Sequence, residues 1–145
     1  MSWHQKEKQM IQDLNRSVFV QDPIKKATDP MSPIDAYNTN YVIELKNRED
    51  YSSETFDGSL IEKFKYDYLV NNCVYKTPAY ICRFTDISYY GWNLKKVLEP
   101  EWYYKILPET SHFDRNEWIN KKVGNLYLRD AIKLLVKHKS TVCSQ

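Results

Sequence analysis

The run Tyr41-Val42-Ile43-Glu44-Leu45-Lys46 constrains the fold of this chain more than any other stretch. It is dense in β-branched and aromatic residues, and a turn signal, Asn38-Thr39-Asn40, stands directly before it. Upstream of the turn, Pro33-Ile34-Asp35-Ala36-Tyr37 reads as a second strand, so the two predict a hairpin. Side chains alternate faces along a strand. Val42, Glu44 and Lys46 therefore project one way, while Tyr41, Ile43 and Leu45 project the other way, into a core. A carboxylate and an ammonium stand side by side on an otherwise apolar strand, and Asp35 can reach the same spot from across the pair.

The rest of the chain alternates helix and strand signals. Residues 3–15 predict an amphipathic helix, with Trp3, Met10, Ile11, Leu14 and Val18 on one stripe at helical spacing. Glu7 falls on that same stripe, where a carboxylate needs a partner, a metal or an exposed end. Gln21 to Pro33 holds three prolines and predicts irregular chain, with a short strand near Val18–Val20 or Ile24–Ala27. After a polar loop from Asp50 to Gly58, Ser59 and Glu62 form a capping-box pattern. That pattern predicts a helix to about Val70 with Ile61, Phe64 and Tyr68 on its apolar face, ended by Asn71-Asn72. Strands follow over Pro78–Phe84 and Ile87–Leu94, joined at Thr85-Asp86. Lys95 to His112 has no assignable pattern beyond aromatics that suggest packing. A strand near Trp118–Val123 and a helix from about Leu128 to Lys137 close the chain. This order predicts one layered α/β domain, with a core over about residues 3–94 and an extension over about 95–145.

Composition narrows the class. A length of 145 residues fits one domain able to bury a real core, and 42% hydrophobic with 28% charged residues fits a globular rather than a disordered chain. A net charge of only +2 excludes a polycation while leaving room for a local basic face. Three glycines argue against a glycine-rich phosphate loop. Cys73, Cys82 and Cys143 show no CxxC spacing, which disfavours a thiolate zinc site. The polar N-terminus and the short apolar runs predict neither a signal peptide nor a membrane span, hence a cytoplasmic protein with reduced thiols.

Two converging carboxylates repel, and a dication relieves that repulsion. An all-oxygen site suits Mg²⁺, which keeps several waters and takes few protein carboxylates. Such an ion binds a phosphate and lowers the pKa of water. Lys46 beside it would steer the attacking water or hold charge on the pentavalent phosphate. The parts fit phosphodiester hydrolysis.

Pro33, Asp35, Glu44 and Lys46, in this order and on these elements, resemble the motif of the PD-(D/E)xK nuclease superfamily, with Ile34 interrupting a strict Pro-Asp pair. The resemblance covers roughly residues 3–94. It implies a restriction-endonuclease-like core, a central mixed β-sheet flanked by helices in the order α-β-β-β-α-β. It implies Mg²⁺-dependent cleavage of DNA, with Mn²⁺ as a substitute. Asp35, Glu44 and the Leu45 carbonyl become metal ligands and Lys46 the catalytic lysine. In size the chain is similar to small phage nucleases and Holliday-junction resolvases, where a homodimer commonly serves two-strand cleavage.

Two more residues have open readings. Glu7 is either a further metal-site acid or a solvated acid in the first helical turn, where the dipole favours it. Lys65 is either a residue of the second helix that touches the site, and so counts with the catalytic group, or a lysine snorkelling at the helix edge. Lys63 is expected to face solvent. Lys25-Lys26, Arg48, Lys95-Lys96, Lys121-Lys122, Arg129 and Lys133 could track phosphates. Trp92, Trp102, Tyr103, Tyr104 and Trp118 belong either in the core or stacked on unpaired bases. His4, His112 and His138 are too scattered for a metal triad. The alternative to a nuclease is a non-catalytic nucleic-acid-binding or protein-interaction module on the same fold.

Overall fold

The computed structural model describes residues 2–29, 31–48, 52–54, 57–108 and 117–137. They form helix α1 (Trp3–Ser17), strands β1 (Lys25–Lys26), β2 (Ala36–Tyr37), β3 (Tyr41–Asn47) and β4 (Gly58–Glu62), helix α2 (Lys63–Asn72), then β5 (Thr77–Arg83), β6 (Tyr89–Asn93), β7 (Tyr103–Pro108), β8 (Trp118–Tyr127) and β9 (Ile132–Leu134). A six-stranded mixed sheet has the order β1-β2-β3-β5-β6-β9, and a second sheet has the order β4-β8-β7. Only β3 and β5 run parallel; every other pairing is antiparallel. The protein is thus α/β, with a mixed sheet and two α-helices among the described residues.

A parallel pair needs a crossover connection, and β4 with α2 supplies it. Strand β5 is buried from Pro78 to Cys82, the continuous apolar run expected of a strand covered on both faces. On one face, Met10 and Leu14 of α1 pack on Ile43, Leu45, Ala79 and Ile81. On the other, Tyr66 and Leu69 of α2 join Tyr80, Cys82 and Trp92 of the large sheet and Ile61 and Leu126 of the small one. The sheet therefore lies between α1 and a layer made of α2 and the three-stranded sheet. Gly58 at the start of β4 admits no side chain, since a Cβ there would stand 2.1 Å from the Leu126 carbonyl oxygen.

The hairpin, α1 and the strands at 77–83 and 89–93 match the pattern read from the sequence. Three expectations do not. Ser59 caps no helix: it is buried in β4, where its hydroxyl accepts from Arg48 Nε at 3.1 Å and meets the Tyr80 hydroxyl at 3.0 Å. The helix starts at Lys63 and turns Tyr66 and Leu69 inward, while Phe64 and Tyr68 face solvent. Strand pairing with β8 won over the capping pattern. The helix expected over 128–137 is instead a 3₁₀ turn, Leu128–Asp130, followed by β9, because the open edge of β6 takes it up as an antiparallel partner. Within the unassigned stretch after Lys95, Tyr103–Pro108 is a strand paired with β8; His112, His138 and Cys143 lie outside the described residues. Of the aromatic candidates, Trp92 is buried, whereas Tyr104 and Trp118 are exposed. Lys63 keeps about a third of its side chain exposed while it pairs with Asp67 at 2.5 Å and lies over the Trp102 ring.

Ile43 has no exposed surface and is central to the α1-facing core, whereas Phe64 is 73% exposed. Ile43→Ala is expected to lose about 2–5 kcal/mol of unfolding free energy and Phe64→Ala less than about 0.5 kcal/mol. Chemical denaturation followed by circular dichroism checks both.

Candidate functional site

The site grows from a local irregularity in the hairpin. Ala36 pairs with Ile43 in register, yet the Asp35 N–H also donates to the Ile43 carbonyl at 2.9 Å. Two residues thus stand opposite one, a β-bulge, and such a kink re-aims the side chain it carries. The Asp35 carboxylate turns back onto β3 and its Oδ2 accepts the Leu45 N–H at 2.8 Å. Tyr41 and Ile43 present their carbonyls to this same edge of β3. By strand alternation Leu45 does too, beyond the end of β2, where Pro33 has no N–H to offer. Asp35 and the Leu45 carbonyl therefore share one edge of β3.

Glu44 is only 3% exposed and lies on the face opposite Ile43 and Leu45. Its Oε1 accepts from Lys65 Nζ at 2.5 Å, while its Oε2 is buried without a hydrogen-bond partner. Burial pushes its pKa well above the usual carboxylate range. The Asp35 charge pushes the same way, and Lys65 opposes it. On α1, Glu7 is 4% exposed, and its Oε2 is likewise buried and unpartnered. Burial and then the Asp35 charge raise it to about 7, against the pull of Lys26, whose Nζ stands 3.7 Å from Oε1. Of the two readings of Glu7, the solvated first-turn acid is excluded: the first turn of α1 holds no acidic residue, and Glu7 points inward. Asp35 is the negative charge common to both glutamates.

Three cations adjoin this acidic group. Lys46 is lowered to about 8, first by burial and then by the neighbouring charges of Arg48 and Lys65, with Glu44 and Glu62 opposing. Burial would lower Lys65 as well, but Glu44, Asp35 and Glu62 outweigh it and the net shift is upward. Lys65 is thus a contact of Glu44, not a snorkelling lysine at the helix edge. Arg48 continues the alternation Glu44, Lys46, Arg48, and its guanidinium donates to Ser59, to the Leu60 carbonyl at 2.9 Å and to Tyr80. These side chains line a cleft of about 420 Å³ between the large sheet, the start of α2 and the β7–β8 pair. Glu62, Phe64, Leu107, Pro108 and Lys121 complete its walls, and Lys121 Nζ stands 3.0 Å from Glu62.

The chain brings Asp35, Glu44, Leu45, Lys46 and Lys65 to one place and sets Glu7 within electrostatic reach. As the side chains stand, no three His, Cys, Asp or Glu groups among the described residues form a metal cage. Mg²⁺ does not require one, since one or two carboxylates with waters and substrate oxygens suffice. The buried, unpartnered oxygens of Glu44 and Glu7 and the fixed carboxylate of Asp35 suit that donor set. Lys26, grouped from sequence with phosphate-tracking cations, stands 3.7 Å from Glu7. Of the residues completing the cleft walls, only Lys121 was marked from sequence, among the phosphate-tracking cations. Arg48 could have been assigned to the site by extending the period-two pattern, but nothing local marks Tyr80, Phe64 or Leu107. No helix among the described residues is long and apolar enough to cross a membrane.

A scan of protein-family models, a search of curated proteins and a search of solved structures each find no match to this chain.

A raised carboxyl holds its proton in the fold at pH values where the unfolded chain has lost it. Glu7 therefore favours the fold below pH 4.5, and that contribution is lost as pH rises to about 7. Glu7→Gln removes the loss. It should raise the melting midpoint by about 3 °C or more at pH 8 and by under about 1 °C at pH 4 without divalent cation. Equal shifts at both pH values would contradict this placement of Glu7.

Proposed function

We propose that the chain is a Mg²⁺-dependent DNA endonuclease with a restriction-endonuclease-like core, hydrolysing phosphodiester bonds by a water nucleophile. The observation that carries the reading is the Asp35 carboxyl, turned from the start of β2 onto the edge of β3, beside Glu44 on that strand, with one buried Glu44 oxygen unpartnered and the Lys46 amine two residues on. The order α1, hairpin, α2, parallel β5 supports the core assignment, because it sets the motif strand beside the strand that follows the crossover.

Asp35 and Glu44 would hold the ion with the Leu45 carbonyl, and Glu7 would contribute from α1. When bound, a hard dication lowers the pKa of water and offsets charge on the scissile phosphate. The chain's own part is positioning and proton handling. Lys46, lowered to about 8, exists near neutral pH as both amine and ammonium, so it can orient the attacking water and exchange a proton with it. Lys65 fixes the Glu44 carboxylate from α2. Arg48 and Lys121 add positive charge along the cleft, where a phosphate backbone would run.

A second reading has one observation of its own. Glu44 and Glu7 each already have a cationic partner, Lys65 and Lys26, as in a binding module that uses no metal. Cleavage separates the two. With Mg²⁺ or Mn²⁺, labelled DNA offered as duplex, branched and single-stranded substrate should be cut. EDTA should stop the reaction, and Asp35→Ala, Glu44→Ala and Lys46→Ala should each lower the rate by roughly 10²-fold or more while melting as folded proteins. DNA bound but never cut, with affinity indifferent to EDTA and to Asp35→Ala, would establish the binding module instead.

A further inference from the structure

Resting on the nuclease reading, we propose that the cleft accepts an unpaired strand, so that single-stranded DNA and not intact duplex is the substrate presented to Glu44 and Lys46. The reacting groups are recessed. Glu44 is 3% exposed, and Lys46 is half-buried on the floor of a cleft of about 420 Å³. Cavities of roughly 300–1,000 Å³ take drug-sized molecules, the scale of one or two nucleotides. A duplex is a stiff rod that would span the mouth, whereas a single strand can bend its phosphate down to the floor.

The second sheet makes the recess. On β8 and β7, Val123 and Lys121 pair across the ladder with Tyr103 and Lys105. Lys121, Val123 and Leu107 point to the cleft side. The rim is apolar where the floor is charged. Phe64, in the first turn of α2, is 73% exposed at the cleft and supports no packing core. Leu107 and Pro108 face the same space. An exposed ring above a cationic floor matches a strand whose phosphates and base faces must both be met, because base stacking on aromatics accompanies a positive groove in single-strand binders. The charge balance agrees, with Lys46, Arg48, Lys65 and Lys121 against Glu44 and Glu62. A paired base buries its faces in the duplex stack and offers Phe64 nothing.

The test uses one labelled sequence as a single strand, as blunt duplex and as a fork with splayed arms, with wild-type protein and Phe64→Ala. Cleavage is read with Mg²⁺ and binding by fluorescence anisotropy in EDTA. The expected result is that the single strand and the fork arms are bound and cut at least about tenfold better than duplex. Phe64→Ala should weaken single-strand binding roughly tenfold and leave duplex binding unchanged. Duplex cut as well as single strand, or single-strand affinity indifferent to Phe64→Ala, overturns the inference and leaves the nuclease reading standing. Preferential, Phe64-dependent binding of single strand with no cleavage of any DNA supports the cleft assignment and overturns the nuclease. A protein that neither binds nor cuts any form overturns both.

Discussion

The buried Glu44 carboxylate is the constraint on which the rest of the site depends. A charge taken out of water is tolerated only when paired and hydrogen-bonded, and Glu44 is half provided for. Lys65 holds one oxygen at 2.5 Å, and the other has no partner. Asp35 beside it raises the energy of the charged form further. A position of this kind is poorly explained by stability, because an apolar residue of similar size would pack there without the desolvation penalty. Its placement makes sense if a second cation is to be received.

The architecture can be read as the means of holding that charge. The bulge at Asp35 and Ala36 bends one carboxylate back onto β3. The parallel pairing of β3 with β5 requires a crossover, and the crossover helix delivers Lys65. Helix α1 covers the opposite face with Met10 and Leu14 and brings Glu7 to within reach of the Asp35 charge. The small sheet then narrows access from the far side through Lys121 and Leu107. Each element buries apolar surface in its own right and also carries one polar group toward the same locus.

Much of this was legible in local pattern. Period-two alternation separated Glu44 and Lys46 from Ile43 and Leu45, and period-3.6 spacing put Glu7 on the inward stripe of α1. The resemblance of Asp35, Glu44 and Lys46 to a nuclease motif rests on the same residues. What was not legible depends on pairing between segments far apart in sequence. Ser59 and Glu62 carry a capping signature, but β8 claims them as a strand, and Leu128–Lys137 lost its helix to the free edge of β6. Phe64 and Leu107 acquire meaning only when α2 and β7 stand across a cleft from each other. The bulge needed no unusual residue, so the turn of the Asp35 carboxylate back onto β3 left no mark in the local pattern.

Asp35 and Glu44 together should draw a cation to the edge of β3. Calorimetric titration of Mn²⁺ into the full chain measures that attraction without asking for turnover. One saturable site per chain is predicted, with affinity rising from pH 6 to pH 8 as the Glu44 and Glu7 carboxyls give up their protons, and with the site lost in Asp35→Asn. No saturable binding at either pH, or a site that survives Asp35→Asn unchanged, would contradict it.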